Sequence, residues 1–334
     1  MTATSGPGLR DGAWSRSRDQ AATPASPGGA AGPPPNTRPR RRRDGRVRWH
    51  SPLAAWLFLT PALLAFGYFS WWPIVKSVLL SLQQTNFVDP PRWVGLDNFR
   101  HVLADPLLLT AIVNTVKFGA LTILIGFPLP LLLAIVMSEL RRLGGLFRVL
   151  VYLPVIMPPV VSILLWKFFY DPDHGLFNSV LGHLGLGPAP WLQTKASALP
   201  SLVLLIVWES TGSTVLLYLA SLSGIPGELY EAAEVDGASI RRRVWHITLP
   251  QLRGMMLILL LLQIIGTLQI FSEPFVMTDG GPENSTVTVI YLIYRDAFVN
   301  GDFGSATALS VLLAAALAAL SAVYLRLTRR WSAT

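Results

Sequence analysis

Long uncharged stretches recur along the chain, and they predict its fold class. Each is about as long as the helix of roughly 20 residues that crosses a hydrocarbon layer of about 30 Å. The spacing predicts six membrane-spanning helices at 53–75, 107–137, 149–169, 199–223, 251–277 and 303–327. We therefore expect an all-α membrane protein with six transmembrane helices.

The first 50 residues differ in composition from the rest. They are rich in proline and glycine, lack apolar periodicity and contain four consecutive arginines at 40–43. A secretory signal peptide is the alternative, but the apolar stretch at 53–73 exceeds a typical signal core and no cleavage pattern follows it. We expect a disordered, Arg/Pro/Gly-rich cytoplasmic tail over 1–50 and a transmembrane domain over 51–330.

The charges of the chain are few and unevenly placed. Only 14% of the 334 residues are charged, against about a quarter in soluble domains, and the net charge is +8. In a soluble protein that excess would suggest nucleic acid, but here most basic residues fall on one side of the six helices. They lie in the segments 1–52, 138–148, 224–253 and 326–334. By the positive-inside rule both termini are expected to be cytoplasmic, and nucleic acid is excluded as a partner.

Several motifs of catalytic chemistry are missing from the sequence. The chain has no cysteine, which excludes disulfides, thiolate metal sites and cysteine nucleophiles. It also lacks the Gly-Lys pair of an ATP-binding loop, the zinc motif His-Glu-x-x-His and the nucleophile elbow Gly-x-Ser-x-Gly. Asp171, Asp173 and His174 leave metal binding open, although a turn in an outer loop is favoured. We predict a chain that is not an enzyme and holds neither cofactor nor metal.

The inner loop 225–250 has unusually strong helix signals for a connection between spans. Pro226 and the acidic residues after it favour a helix start, and Gly237 suits a C-terminal cap with positive φ. Ser239 can cap a second short helix that runs to residue 246, and Pro250 fits the first turn of the fifth span. The loop is thus predicted to be a cytoplasmic helix–turn–helix that presents a surface to a partner.

The same loop carries a spaced motif. Glu231-Ala232-Ala233 is followed by Gly237 and then by Ile247-Thr248-Leu249-Pro250. In this pattern the chain resembles the membrane-spanning subunits of binding-protein-dependent ABC importers, over roughly 53–330. It is similar to the carbohydrate branch, and within it to the maltose and glycerol-phosphate permease subunits. Other segments that resemble this branch are Trp72-Pro73-Ile74, Val94-Gly95-Leu96-Asp97-Asn98-Phe99, Asn114-Thr115, Asp171-Pro172-Asp173-His174-Gly175 and Thr278-Asp279-Gly280-Gly281-Pro282.

The resemblance implies a bacterial plasma-membrane complex that imports a sugar by alternating access. Its partners would be a second homologous permease, two ATPase subunits that bind ATP and Mg²⁺, and an extracytoplasmic substrate-binding protein. The first loop helix would dock on an ATPase subunit. The residues inferred to couple are Glu231, Ala232, Ala233, Asp236, Gly237, Ile247, Leu249 and Pro250. An importer of glycerol phosphate or another polar solute is the alternative.

Polar side chains at mid-membrane depth are candidates for a substrate pathway. Glu209 and Ser213 lie one turn apart in the fourth span, as do Gln263 and Thr267 in the fifth, so each pair shares a helix face. Trp208 could stack on a sugar ring. Under the resemblance, Glu209, Ser213, Gln263 and Thr267 fall at sugar-contacting positions, together with Gly266 and Ile270.

Other roles remain open for these polar groups. Gln263 and Thr267 could instead bond to neighbouring helices. Glu209 could pair with a residue of the partner permease or with Lys117, which is expected to snorkel near the start of the second span. Glu273 could be solvated or act in a gate. Basic residues 241–243 could meet lipid phosphates or the ATPase, although topology alone explains them.

Overall fold

A computed structural model describes residues 52–139 and 144–332. The chain divides into two compact units, 1–57 and 58–334, and nearly all described residues belong to the second. The predicted tail 1–50, with its arginine run at 40–43, lies outside the described residues, and so do Arg141 and Arg142 of the loop used for topology. The boundary at 50/51 and the cytoplasmic placement of both termini therefore stay predictions.

Helices dominate the described part of the chain. They are α1 Pro52–Phe66, α2 Trp72–Ser81, α3 Asp97–Ala104, α4 Pro106–Gly126, α5 Pro128–Glu139, α6 Gly144–Ile156, α7 Pro159–Phe169, α8 Leu176–His183, α9 Ala198–Ser223, α10 Gly227–Val235, α11 Ile240–Arg243, α12 Leu249–Thr267, α13 Val289–Tyr294 and α14 Phe303–Ser332. Wider π-helical turns occur at Gly67–Trp71, Val244–Thr248, Pro274–Thr278 and Arg295–Val299.

One small sheet departs from the all-α expectation. Strands β1 (Gln83–Gln84) and β2 (Arg92–Trp93) pair antiparallel in the segment between the first two predicted spans. The Nδ2 atom of Asn98 donates hydrogen bonds to the carbonyl oxygens of Ser81 and Gln83, both at 2.9 Å. These bonds join the start of α3 to β1. The mostly helical architecture itself agrees with the prediction.

The described residues hold five helical stretches that are long and apolar enough to cross a membrane. These are Trp56–Ser81, Pro106–Glu139, Ala198–Ser223, Ile240–Thr267 and Phe303–Arg329. A sixth span arises if the bent pair Val149–Ile156 and Pro159–Phe169 is taken as one. The count of six predicted from the sequence thus depends on this pair.

The third predicted span, 149–169, is not a straight helix. Its two halves meet at 108° around the break that precedes Pro159. Pro158 adopts an extended backbone (φ −57°, ψ 133°), because the ring of the following proline clashes with a helical conformation at this position. The hydropathy pattern predicts the position of this apolar segment but not its bend.

The fifth span is displaced from its predicted range of 251–277. The helix is continuous from Ile240 to Thr267, so the separate short helix expected up to residue 246 is instead its first turns. Pro250 does not break it, since the π-helical turn before it ends with Leu249 N donating to Val244 O. Ser239 occupies the N-cap position but makes no capping hydrogen bond with its side chain.

One of three buried hydrophobic clusters in the described residues lies where α4, α7 and α9 meet. Phe118, Ile163, Tyr170 and Leu202 are each no more than 1% exposed there. Tyr170 donates its hydroxyl to the carbonyl oxygen of Ser201 at 2.8 Å, which joins α7 to α9. Of the residues predicted to line a pathway, Trp208 of α9 packs against this cluster, whereas Gln263 and Thr267 lie on α12.

Candidate functional site

Helix α10 carries the Glu-Ala-Ala motif on the surface of the molecule. None of its residues is buried, and Glu231, Ala232 and Asp236 are exposed while Ala233 is partly covered. The helix ends as predicted, because Gly237 has φ +72° and Ala238 N donates to Ala233 O at 2.8 Å. The predicted cap is thus confirmed by the backbone geometry.

Two side-chain contacts fasten α10 to the start of the fifth span. The hydroxyls of Tyr230 and Thr248 are 3.0 Å apart, and Thr248 is only 4% exposed. The Arg243 guanidinium donates to the Glu234 carboxylate, and the Arg243 side chain is largely covered. All four residues lie inside the predicted loop 225–250, but the sequence did not predict that these pairs contact each other.

A cleft opens beside this helix. Its volume is about 730 Å³, and it is lined by the ends of α5 and α9 together with α10. Glu139, Glu231 and Glu234 face it, and so does Arg243. Of the remaining motif residues, Ile247 and Leu249 are half-buried and Pro250 is exposed.

The candidate pathway residues occupy different environments on α9 and α12. Ser213 and Gly266 are exposed, Trp208, Glu209 and Gln263 are half-buried, and Thr267 and Ile270 are buried. Ser213 donates its hydroxyl to the carbonyl oxygen of Ser210, within its own helix. The structure of this chain therefore does not gather the seven residues around one cavity.

Gln263 contacts α4 rather than the Glu209 face. Its Nε2 donates to Thr122 O at 3.0 Å, and a Cβ atom at Gly126 would lie only 2.6 Å from that nitrogen. Thr267 donates to its own helix at Gln263 O. In this conformation Gln263 bonds to a neighbouring helix, which is the alternative that the sequence left open, whereas Thr267 bonds within its own helix.

Glu209 lies against α7. Its polar neighbours include Ser162 and the carboxylate of Glu273. Lys117 is exposed, and no ion pair joins it to Glu209 among the residues the structure describes. The predicted snorkelling of Lys117 and a gating role of Glu273 stay predictions.

The turn after α7 is built around Asp171. Its Oδ1 accepts hydrogen bonds from the backbone N–H groups of His174 (2.8 Å) and Asp173 (3.1 Å), which lower the pKa of Asp171. Within 52–139 and 144–332, no group of three His, Asp or Glu side chains could hold a metal ion. The geometry is that of an Asx-type turn.

Comparison with known proteins places this architecture in a family. The sequence model described as "Binding-protein-dependent transport system inner membrane component" matches residues 126–333, more than half of the chain. The trehalose/maltose transport system permease protein MalF of Thermococcus litoralis is 32% identical over 286 residues, which cover 85% of this chain and 96% of the relative.

Two further proteins match over similar lengths. The sn-glycerol-3-phosphate transport system permease protein UgpA of Agrobacterium fabrum is 32% identical over 289 residues, with 85% of this chain and 97% of the relative covered. A chain of the bacterial alginate ABC transporter, crystallised with an alginate pentasaccharide-bound periplasmic protein, superposes with a TM-score of 0.75. That match has 25% identity and covers 84% of this chain and 96% of the other. Permease subunits of this kind are not enzymes, which agrees with the motifs missing from the sequence.

Proposed function

The chain belongs to the family of binding-protein-dependent transport system inner membrane components, and from that premise we propose that it is the permease subunit of an ATP-driven sugar importer. In this proposal it forms the translocation pathway with a second homologous permease. Two ATPase subunits bind ATP and Mg²⁺ below it, and an extracytoplasmic binding protein delivers the sugar. The complex lies in the bacterial plasma membrane with both termini of this chain in the cytoplasm.

The observation that carries the proposal is the exposed helix α10. It presents an alanine-rich surface between two spans, and no residue of it is buried in this chain. A helix with an unburied small-residue face is suited to dock in the groove of another subunit. Because Tyr230 and Glu234 join it to the fifth span, a displacement of α10 would reach the membrane.

The pathway is proposed to run along α9 and α12. Its residues are Trp208, Glu209, Ser213, Gln263, Gly266, Thr267 and Ile270. The exposed positions on these helices, Ser213 and Gly266, would face the second permease across the pathway. Opening would then release Gln263 from Thr122 and present its carboxamide to the cargo.

Glycerol phosphate is the second candidate cargo. The observation that favours it is the resemblance to UgpA, which is as extensive as that to MalF. Both cargoes require the same coupling loop, so the test of coupling does not depend on which one is imported.

The test uses the complete importer reconstituted with its ATPase and binding protein. Gly237→Pro should uncouple ATP hydrolysis from uptake, since proline fixes φ near −65° and cannot adopt the +72° found there. Ala233→Asp should do the same by placing a charge on the docking surface. Uptake and hydrolysis are measured in the same vesicles.

Gly185→Pro is the matched control for the backbone change. Gly185 has the same φ of +72°, and a Cβ atom at either glycine would meet nothing within 4 Å. It lies in the opposite loop, after α8, so its variant should keep the ratio of uptake to hydrolysis. Normal coupling in both Gly237→Pro and Ala233→Asp would refute the role of α10.

A further inference from the structure

A second cavity of the loop 225–250 lies at the start of the fifth span. Its volume is about 470 Å³, and its lining consists of Gly237, Ser239, Arg241, Arg242, Trp245 and His246. No acidic residue belongs to this lining, whereas three glutamates face the cleft beside α10. The two cavities share no residue, so the loop carries a basic cavity that is separate from the acidic cleft.

Two arginines of the cavity have no counter-ion in the chain. Arg241 and Arg242 are exposed, and neither takes part in any of the four ion pairs of the described residues. The sequence has no acidic residue between Asp236 and Glu273, so their own helix offers none. Arg243 differs, because it is paired with Glu234 and largely covered. Arg243 is thus a packing residue, and the other two arginines are open to an anion.

The spacing of the lining residues groups charge and apolar surface. Arg241 and Trp245 are four residues apart, as are Arg242 and His246, so each pair shares a helix face. His246 Nδ1 lies 2.9 Å from Arg242 O, which holds the imidazole over that turn. Trp245 is 61% exposed and Ile240 is 56% exposed. The two guanidinium groups therefore stand beside apolar surface that this chain leaves uncovered.

The position of the cavity along its helix predicts its depth in the membrane. The helix runs without a break from Ile240 to Thr267. From Trp245 to Thr267 it rises roughly 33 Å at 1.5 Å per residue, whereas the hydrocarbon layer is about 30 Å thick. The cavity is therefore expected at the level of the lipid headgroups, where tryptophan is enriched in membrane proteins.

The chemistry of the cavity fits an anionic phospholipid. A guanidinium donates two parallel hydrogen bonds to a phosphate group. A phospholipid brings that phosphate together with apolar chains, whereas free phosphate would leave Trp245 and Ile240 uncovered. A zwitterionic headgroup carries a cation of its own, which weakens its attraction to two arginines. An acidic protein segment would match the charge but not the tryptophan at headgroup level.

We propose that Arg241, Arg242 and Trp245 form a binding site for an anionic phospholipid at the start of the fifth span. The two guanidinium groups hold the phosphate, and the indole ring packs on the apolar part of the lipid. The site goes beyond the proposed function, since it requires neither cargo nor ATP hydrolysis. Thr248 and Arg243 join the same turns to α10, so the lipid steadies the helix that α10 contacts.

The experiment titrates the complete importer, purified in detergent, with dioctanoyl phosphatidylglycerol. Native mass spectrometry counts the lipid molecules bound to each complex. Dioctanoyl phosphatidylcholine is the probe with a neutral headgroup, and inorganic phosphate tests whether the phosphate alone is recognised. The variants are Arg241→Gln with Arg242→Gln, which removes both charges, and Trp245→Leu, which removes the ring.

Each variant has a matched control. Arg326→Gln with Arg329→Gln removes the same charge from exposed positions of α14, on the same predicted side of the membrane and outside the cavity. Trp72→Leu removes a ring of α2 that is 57% exposed, much as Trp245 is. Thermal unfolding and the subunit composition of each complex show that it is folded and assembled.

The wild type should bind phosphatidylglycerol in preference to phosphatidylcholine, and inorganic phosphate should not displace it. Loss of both arginines should weaken phosphatidylglycerol binding about 30-fold, because each basic residue near an anionic lipid surface contributes about fivefold. Trp245→Leu should weaken the binding of both lipids severalfold. Both control variants should keep the affinity of the wild type.

Contrary results would overturn the proposal in separate ways. Unchanged affinity in the arginine variant, or an equal loss in the α14 control, would show that no specific site exists. Displacement by inorganic phosphate would assign the cavity to a soluble anion. Loss of the ATPase from the arginine variant, with lipid binding intact, would assign it to a protein contact. Failure of sugar import would refute the proposed function and leave the lipid site standing.

Discussion

At the scale of single residues, Gly212 sets how closely α6 can approach α9. A Cβ atom at Gly212 would lie 2.3 Å from Val151 O and 2.6 Å from Val155 Cγ2. Gly212→Ala should therefore force the helices apart and lower the free energy of unfolding by about 1–3 kcal/mol. Thermal unfolding in detergent measures the loss.

Gly254→Ala is the control for that substitution. Gly254 lies within α12, and a Cβ atom there would meet nothing within 4 Å. Alanine should raise helix stability at this site by about 0.5–1 kcal/mol, because glycine is the poorer helix former. Equal melting temperatures for both variants would contradict the close packing at Gly212.

Asn114 is a second residue whose substitution is expected to lower stability. Its Nδ2 donates to Asn284 O at 2.8 Å and to Val287 O at 3.0 Å, and these hydrogen bonds join α4 to the loop before α13. Asn114→Leu leaves both carbonyl groups without that donor, at a cost of about 1–3 kcal/mol. The melting temperature should fall, while Asn300→Leu, which removes only an exposed hydrogen bond to Asp296, should lower it much less.

The sequence predicts the conformation of a single residue well where that conformation strongly favours one residue type. The positive φ at Gly237 follows from glycine after a helix-forming run. The predicted cap at Ser239 is correct in position only, because the Ser239 hydroxyl makes no capping hydrogen bond. The contact of Gln263 with Thr122 could not be predicted, because an apolar run gives no signal of which helix lies opposite.

At the scale of elements, we predict that the two contacts between α10 and the fifth span transmit the movement of α10 to that span. Tyr230→Phe with Arg243→Gln removes both the hydroxyl contact to Thr248 and the ion pair to Glu234. We expect binding of the ATPase to persist while sugar imported per ATP hydrolysed falls severalfold. Co-purification and paired uptake and hydrolysis assays measure the two effects.

A charge exchange tests the same connection. Glu234→Arg alone should impair coupling, and the double variant Glu234→Arg with Arg243→Glu should restore part of it by re-forming the pair. Failure of any restoration, with the ATPase still bound, would assign the defect to the docking surface instead. The Glu234 side chain is well exposed, so its exchange should not disturb folding.

The hydropathy of the sequence predicts where the spans lie, but it does not predict whether a span is bent or continuous. Apolar length locates a span because crossing the hydrocarbon layer demands it. The 108° bend of the third span and the continuous helix from Ile240 depend on how prolines are accommodated. Pro159 breaks one helix, whereas a π-helical turn lets the chain continue through Pro250.

At the scale of the whole molecule, the predicted topology can be tested without background labelling, because the chain has no cysteine. Single cysteines at Ser239 and at Ser179 are expected on opposite sides of the membrane. An impermeant maleimide added to spheroplasts should label Ser179→Cys only. Permeabilisation should then expose Ser239→Cys, and the reverse order would invert the assigned orientation.

The exposed side chain of Lys117 bears on how long unassembled copies of the protein survive in the cell. A lysine that faces lipid inside a span costs up to about 3 kcal/mol on translocon-based scales, and snorkelling from a position nearer the end of the span lessens this cost. A partner that covers this face would remove the remaining penalty, so we expect assembled copies to be more stable than unassembled ones. Unassembled copies are then the preferred targets of membrane proteases, and the supply of partner sets how much of this chain accumulates.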